Sequence, residues 1–138
     1  MDFTLENAVS IYYASLEHQL AYWNLYLVVA FALLAYLGAN RTQASLIKLC
    51  IVIFVVFSVS NLIVVSKLQA HLVTVSNGIT TYVEASSKIP VQFRQCLLEI
   101  ESLPVGVIVI YHIISTFALS VAMFFAGKIN IFSDDRNN

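Results

Sequence analysis

The sequence predicts an all-α integral membrane protein with three transmembrane helices, whose extensions form a small extramembrane helical bundle on one side. Three observations carry this expectation. The stretch 103–127, LPVGVIVIYHIISTFALSVAMFFAG, contains no Lys, Arg, Asp or Glu. Two earlier runs, 20–39 and 46–68, are similarly apolar and similarly long. Each is long enough for a hydrocarbon core about 30 Å thick, which takes roughly 20 helical residues to cross. Over all 138 residues, 59% are hydrophobic and 11% charged, against roughly 25% charged in an ordinary soluble domain. One short domain cannot bury that much apolar surface in water, so lipid is the expected solvent for much of it.

Residues 1–19 read as an extramembrane N-terminal helix. Leu5, Val9, Tyr12, Leu16 and Leu20 recur at helical spacing and form one apolar stripe. Thr4 and Asp2 are both suited to cap it. No Gly or Pro falls between Met1 and Leu37, so the helix is expected to run unbroken into the first span, 20–39. A helix lying flat on the membrane fits less well, because its polar face lacks the usual Lys and Arg. Tyr22, Trp23 and Tyr26 open the span as an aromatic belt and are taken as interface anchors. Gly38 and the triplet Asn40-Arg41-Thr42 mark a short turn. The triplet also matches a glycosylation acceptor, but it sits too close to the membrane to serve.

The second span, 46–68, is bracketed by Lys48 and Lys67, whose stems can reach toward headgroups. Its Val and Ile richness is no strand signal, because a lone strand in lipid leaves its backbone unsatisfied. For 69–102 the expectation is an extramembrane helical hairpin. Leu68, Leu72, Val75, Ile79 and Tyr82 continue the second helix outward as a stripe. A β-hairpin turning at Asn77-Gly78 is the competing reading, weakened by poor alternation on its arms and by the marginal stability of a lone hairpin. Ser86 to Ile89 form the turn, and Pro90 suits the first position of the next helix. That helix carries Phe93, Leu97 and Ile100 on one side and runs on to 103, with Pro104 kinking it at re-entry. The third span is 103–127, and 128–138 is expected to be a flexible tail.

With the short loop and tail inside, Arg41, Lys48, Lys128 and Arg136 face the cytoplasm and Lys67, Lys88 and Arg94 do not. The positive-inside rule then places the N-terminus outside and the C-terminus in the cytoplasm of a plasma or bacterial inner membrane. Asp2 and Glu6 stand where a signal peptide would carry basic residues, so no cleavable leader is expected. No lipidation signal is present in the sequence.

Function is read from the depth of the polar side chains. Asn24, Ser58, Asn61, His112 and Ser115 fall at matching levels of the three spans and form a polar intramembrane layer. Such groups are costly in lipid unless they meet a partner or water. The layer serves either as a structural hydrogen-bonded level, with a neutral His112 bonded to Asn61 or a carbonyl, or as the lining of a polar pathway in an oligomer. Ala118, Ala122 and Ala126 make a small-residue series suited to close helix packing, within one chain or between copies.

Enzymatic function is not expected. No carboxylate lies between Glu17 and Glu84 or between Glu101 and Asp134, and no phosphate loop, nucleophile set or metal-ligand spacing occurs. No catalytic residue, cofactor or metal is therefore assigned. The net charge of −1 gives nucleic acid no electrostatic footing. Cys50 and Cys96 are placed too differently to pair internally. An N-terminal amphipathic helix followed by three spans is similar in layout to bacterial diacylglycerol kinase. That family relies on intramembrane acidic residues, which this chain lacks, so the resemblance implies no kinase activity. The expected function is a self-associating, homo-oligomeric pore-like or membrane-perturbing protein with the lipid bilayer as its setting. The alternative is a non-conducting accessory or anchor subunit that binds a protein partner through its extramembrane helices.

Overall fold

The computed structural model describes residues 4–39, 43–87, 89–100 and 102–132, with side chains described up to Lys128. The described residues form four helices and no strand: α1 (Leu5–Ala39), α2 (Ala44–Ala85), α3 (Val91–Leu98) and α4 (Val105–Phe132). Three stretches, Leu5–Ala39, Ala44–Ala85 and Val105–Lys128, are long and apolar enough to cross a membrane. Of their most apolar windows, between 11% and 28% is buried inside the chain. Much of the remainder is exposed apolar side chain, such as Val28, Phe31, Val56 and Phe117, a larger apolar surface than a soluble monomer tolerates.

α1 is the unbroken helix expected from the absence of Gly and Pro. Thr4 caps it: its hydroxyl oxygen accepts from the Asn7 amide at 3.3 Å, and its carbonyl accepts from Ala8 at 3.1 Å. The other candidate cap, Asp2, lies outside the described residues, as do Asn40, Arg41 and Thr42 of the expected turn.

α2 settles the choice between helix and hairpin. Its 42 residues continue through Asn77 and Gly78 to Ala85, a rod of about 63 Å at 1.5 Å per residue. Its buried positions are Ile47, Cys50, Phe54, Ser58, Asn61, Val65, Gln69, Leu72, Ser76, Ile79 and Val83. These recur every three or four residues, so one narrow stripe faces the bundle along the whole rod. The helix ends where the Ser86 amide bonds the Tyr82 carbonyl at 3.1 Å.

Two expectations at the third crossing need correction. The helix begun at Pro90 stops at Leu98 instead of running to 103, so α3 is only 8 residues long and lies against α2. Pro104 does not kink a continuous helix. It stands before α4, and its carbonyl accepts from Val107 at 3.0 Å and Ile108 at 3.5 Å. A proline lacks the amide that an interior helical position would need, and it disfavours helical backbone at the residue before it. Both effects place the break ahead of Pro104. Pro90 plays the same part for α3, accepting from Phe93 and Arg94 at 3.0 Å each. At the other end, α4 continues to Phe132, so the expected tail begins later than 128. Residues 133–138, Lys88 and Glu101 lie outside the described set.

α1, α2 and α4 pack on one another with α1 and α2 antiparallel. Two apolar clusters divide their length. One joins Tyr26, Ala30, Leu37, Ile47, Cys50, Phe54 and Met123. The other joins Ala8, Tyr12, Leu72, Ile79 and Val83, with Leu97, Leu98 and Ile100 packed over it. Gly127 allows the close α2–α4 approach in the first. A Cβ there would lie 2.5 Å from Ile47 Cδ1 and 2.7 Å from its Cγ1.

Gly78 has open space at the same test. Gly78→Ala is therefore expected to stabilise the fold by about 0.5–1 kcal/mol through helix propensity. Gly127→Ala is expected to destabilise it by about 1–3 kcal/mol through overpacking. Thermal unfolding in mild detergent, followed by circular dichroism, checks both signs.

Candidate functional site

Between the two apolar clusters lies a buried polar level built on His112. The side chain points inward from α4 and is 1% exposed. Its Nε2 lies 3.0 Å from the Ser58 carbonyl of α2. A carbonyl only accepts, so Nε2 carries the hydrogen and donates it. The ring also packs on two aromatics of α1, with centroid distances of 4.6 Å to Tyr26 and 5.2 Å to Trp23. One imidazole thus touches all three long helices.

Tyr26 extends the level. It is fully buried and tilts against Phe54 at 5.6 Å. The hydroxyls of Ser115 and Thr116 donate to the His112 carbonyl at 3.0 and 2.8 Å. Their hydrogens are thereby engaged, so the Tyr26 hydroxyl is the donor toward Thr116 Oγ1 at 3.1 Å and Ser115 Oγ at 3.4 Å. Three polar atoms in and near this level have no hydrogen-bond partner among the described residues: Ser58 Oγ, Asn61 Nδ2 and His112 Nδ1.

The structure brings together Ser58, Asn61, His112 and Ser115 but not Asn24. Asn24 is exposed on the outer side of α1, because the inward positions there are Gln19, Tyr26 and Ala30. The aromatic belt is also redistributed. Tyr22 stays exposed, Trp23 is half-buried against His112, and Tyr26 is core instead of an interface anchor. Ala118 and Ala122 are exposed and Ala126 is half-buried, so this series does not form the packing seam inside the chain. That seam is Ile108, His112, Thr116, Met123 and Gly127, one face further round the helix.

A second polar level escaped the sequence reading. Gln19 Nε2 donates to Gln69 Oε1 at 2.6 Å, and Gln69 Nε2 donates to the Leu103 carbonyl at 2.5 Å. Ser76 Oγ donates to the Ile100 carbonyl at 2.5 Å. The segment after α3 has no helical ladder of its own, and these side chains satisfy carbonyls it would otherwise leave open. The available signal was the pair of glutamines beside the apolar stripes, at Leu16–Leu20 and Leu68–Leu72.

On the outside, α2 and α4 leave a groove of about 340 Å³ beside the His112 level, with Val59, Ile113 and Phe117 as walls and Ser58, His112 and Thr116 beneath. Among the described residues, no three His, Cys, Asp or Glu side chains gather in a way that holds a metal. Cys50 is buried and Cys96 exposed, both as free thiols. The arrangement is suited to holding helices in register. No family model, curated protein or solved structure matches the chain.

Gln69→Leu strands both the Gln19 amide and the Leu103 carbonyl, and is expected to cost about 1–3 kcal/mol. The double variant Gln19→Leu/Gln69→Leu is expected to be more stable than Gln69→Leu alone, because it removes both side-chain partners together. Unfolding midpoints in detergent measure the difference.

Proposed function

We propose that the chain is a multi-pass integral membrane protein that acts by assembly, as a non-conducting accessory or anchor subunit, and that it performs no chemistry of its own. The observation that carries this reading is where the polar groups are spent. His112, Tyr26, Ser115 and Thr116 bond within the bundle, and the rings of Trp23 and Tyr26 pack on His112 from the α1 side. The outer faces offer apolar side chains such as Val56, Ile63, Ile114 and Phe125. A helix that is apolar all round beyond its packing seam belongs in lipid or against other helices. The half of the bundle around Leu72, Ile79 and α3 carries more polar positions and is assigned to the aqueous side. The charge count puts that half and the N-terminus outside and the C-terminus in the cytoplasm.

The pore reading is favoured by a separate observation, the partnerless Asn61 Nδ2, Ser58 Oγ and His112 Nδ1. It requires copies to self-associate so that these atoms face a shared water path. The two readings separate in liposomes containing this chain alone. The accessory reading expects no dye leak above protein-free vesicles, for the native chain and for His112→Ala alike. Leak that depends on His112 would overturn it in favour of a homo-oligomeric pore. Topology is checked with the exposed thiol of Cys96. A membrane-impermeant maleimide added outside intact cells is expected to label it, and labelling only after permeabilisation would reverse the orientation.

A further inference from the structure

We propose that the outer face of α1 pairs with the same face of a second copy of this chain, with the two Asn24 amides bonded to each other inside the membrane. The inference rests on the membrane reading above and goes beyond it by assigning an interface. Asn24 is exposed, and its side chain bonds no described residue. It stands one turn beyond Leu20 and one turn before Val28, which are 54% and 64% exposed. At 1.5 Å per residue it lies about 7 Å further along α1 than the Gln19–Gln69 level. In the membrane reading this amide faces lipid tails, where donors and acceptors without partners are costly. Unlike Lys or Arg, Asn is too short to reach back to the headgroups.

The residues around Asn24 form a seam. Leu20, Asn24, Leu27 and Phe31 follow one another at steps of four, three and four, the heptad spacing that brings parallel helices together. Leu27 and Phe31 are 40% and 59% exposed. The inward positions of α1 are Gln19, Tyr26 and Ala30, on the opposite side, so neither α2 nor α4 covers the seam. Glu17 continues it one heptad earlier. Two facing carboxylates repel, so the helices part at Glu17 and the contact runs from Leu20 to Phe31.

The amide defines the partner. Its oxygen accepts and its nitrogen donates, so it is complementary to another amide. Acyl chains offer neither function. Copies of one chain insert with the same orientation, which runs their α1 helices parallel and brings Asn24 to one depth. A two-fold axis along the membrane normal then sets like residue against like, and each amide donates to the other's oxygen. A single polar residue in an apolar seam fixes register and partner number in this way. His112 points inward from α4 and takes no part, so the pairing leaves the polar level of the bundle as it is.

The test uses the full chain in phosphatidylcholine liposomes, with insertion verified by resistance to alkaline extraction. Failure at that step refutes the membrane reading and is distinct from failure of the pairing. Chains carrying a donor or an acceptor dye on the exposed thiol of Cys96 are diluted with lipid, and energy transfer follows dimer dissociation. Asn24→Leu, a change at an exposed position that the single chain accommodates, is expected to raise the dissociation constant about tenfold. Asn24→Gln, which keeps an amide, is expected to stay close to the native value. Ala122→Leu, on the exposed face of α4, is expected to leave pairing unchanged. In a Cys96→Ser chain, Leu27→Cys is expected to cross-link copies on oxidation. Leu25→Cys, of similar exposure but on another face, is expected not to. Monomers at every protein density, or a dimer indifferent to Asn24→Leu, would overturn the proposal. Weakening by Ala122→Leu would move the contact to α4, and cross-linking through position 25 in place of 27 would move it to another face of α1; either result refutes the Asn24 pairing.

Discussion

The His112 Nε2–H donated to the Ser58 carbonyl is the interaction on which the bundle depends. A buried imidazole away from water has to place its hydrogen, and only a few acceptors reach it inside three helices. The Ser58 carbonyl has two lone pairs, so it can take this hydrogen without surrendering its place in the α2 ladder. Once that bond is fixed, the rotation of α4 about its axis is fixed too. Thr116, Met123 and Gly127 then face inward, and the aromatics of α1 close over the ring. The apolar clusters above and below are non-directional and tolerate small rotations. The hydrogen bond supplies the register that they do not.

The glutamine level plays the corresponding part at the other end of the bundle. The chain leaves α3 at Leu98 and resumes helix only at Val105. Its intervening carbonyls need donors, and Gln69 and Ser76 on α2 provide them. Gln19 then ties α1 to the same point. The structure is thus pinned at two polar levels, with apolar packing between and beyond them. In the proposed membrane setting, the first level lies among lipid tails and the second near the headgroups.

Much of this was legible in the sequence. The three long apolar helices follow from composition and run length, and the unbroken α1 follows from its lack of Gly and Pro. His112, Ser58 and Asn61 stood out because polar residues are rare in such runs. What was not legible was direction. Asn24 and Tyr26 lie two residues apart, about 200° around the helix, and composition alone assigned both by depth. Packing decided that Tyr26 turns inward, where its ring fills the space beside His112, and that Asn24 turns out. Within the chain, the alanine series is not the packing seam for the same reason. Small residues permit close approach but do not demand it, and the close approach was made by Gly127. Pro104 stands at the break before α4 where a kink was expected, and no residue signal marked the end of α3 as early as Leu98.

The most direct test of the account is solid-state NMR of the His112 ring nitrogens in bilayers, combined with water-edited transfer. The account predicts a single tautomer with hydrogen on Nε2, a contact to the Ser58 carbonyl carbon, and slow transfer from water. Rapid water transfer to the ring, with both nitrogens exchanging hydrogen, would contradict a closed polar level and show that His112 lines an aqueous path.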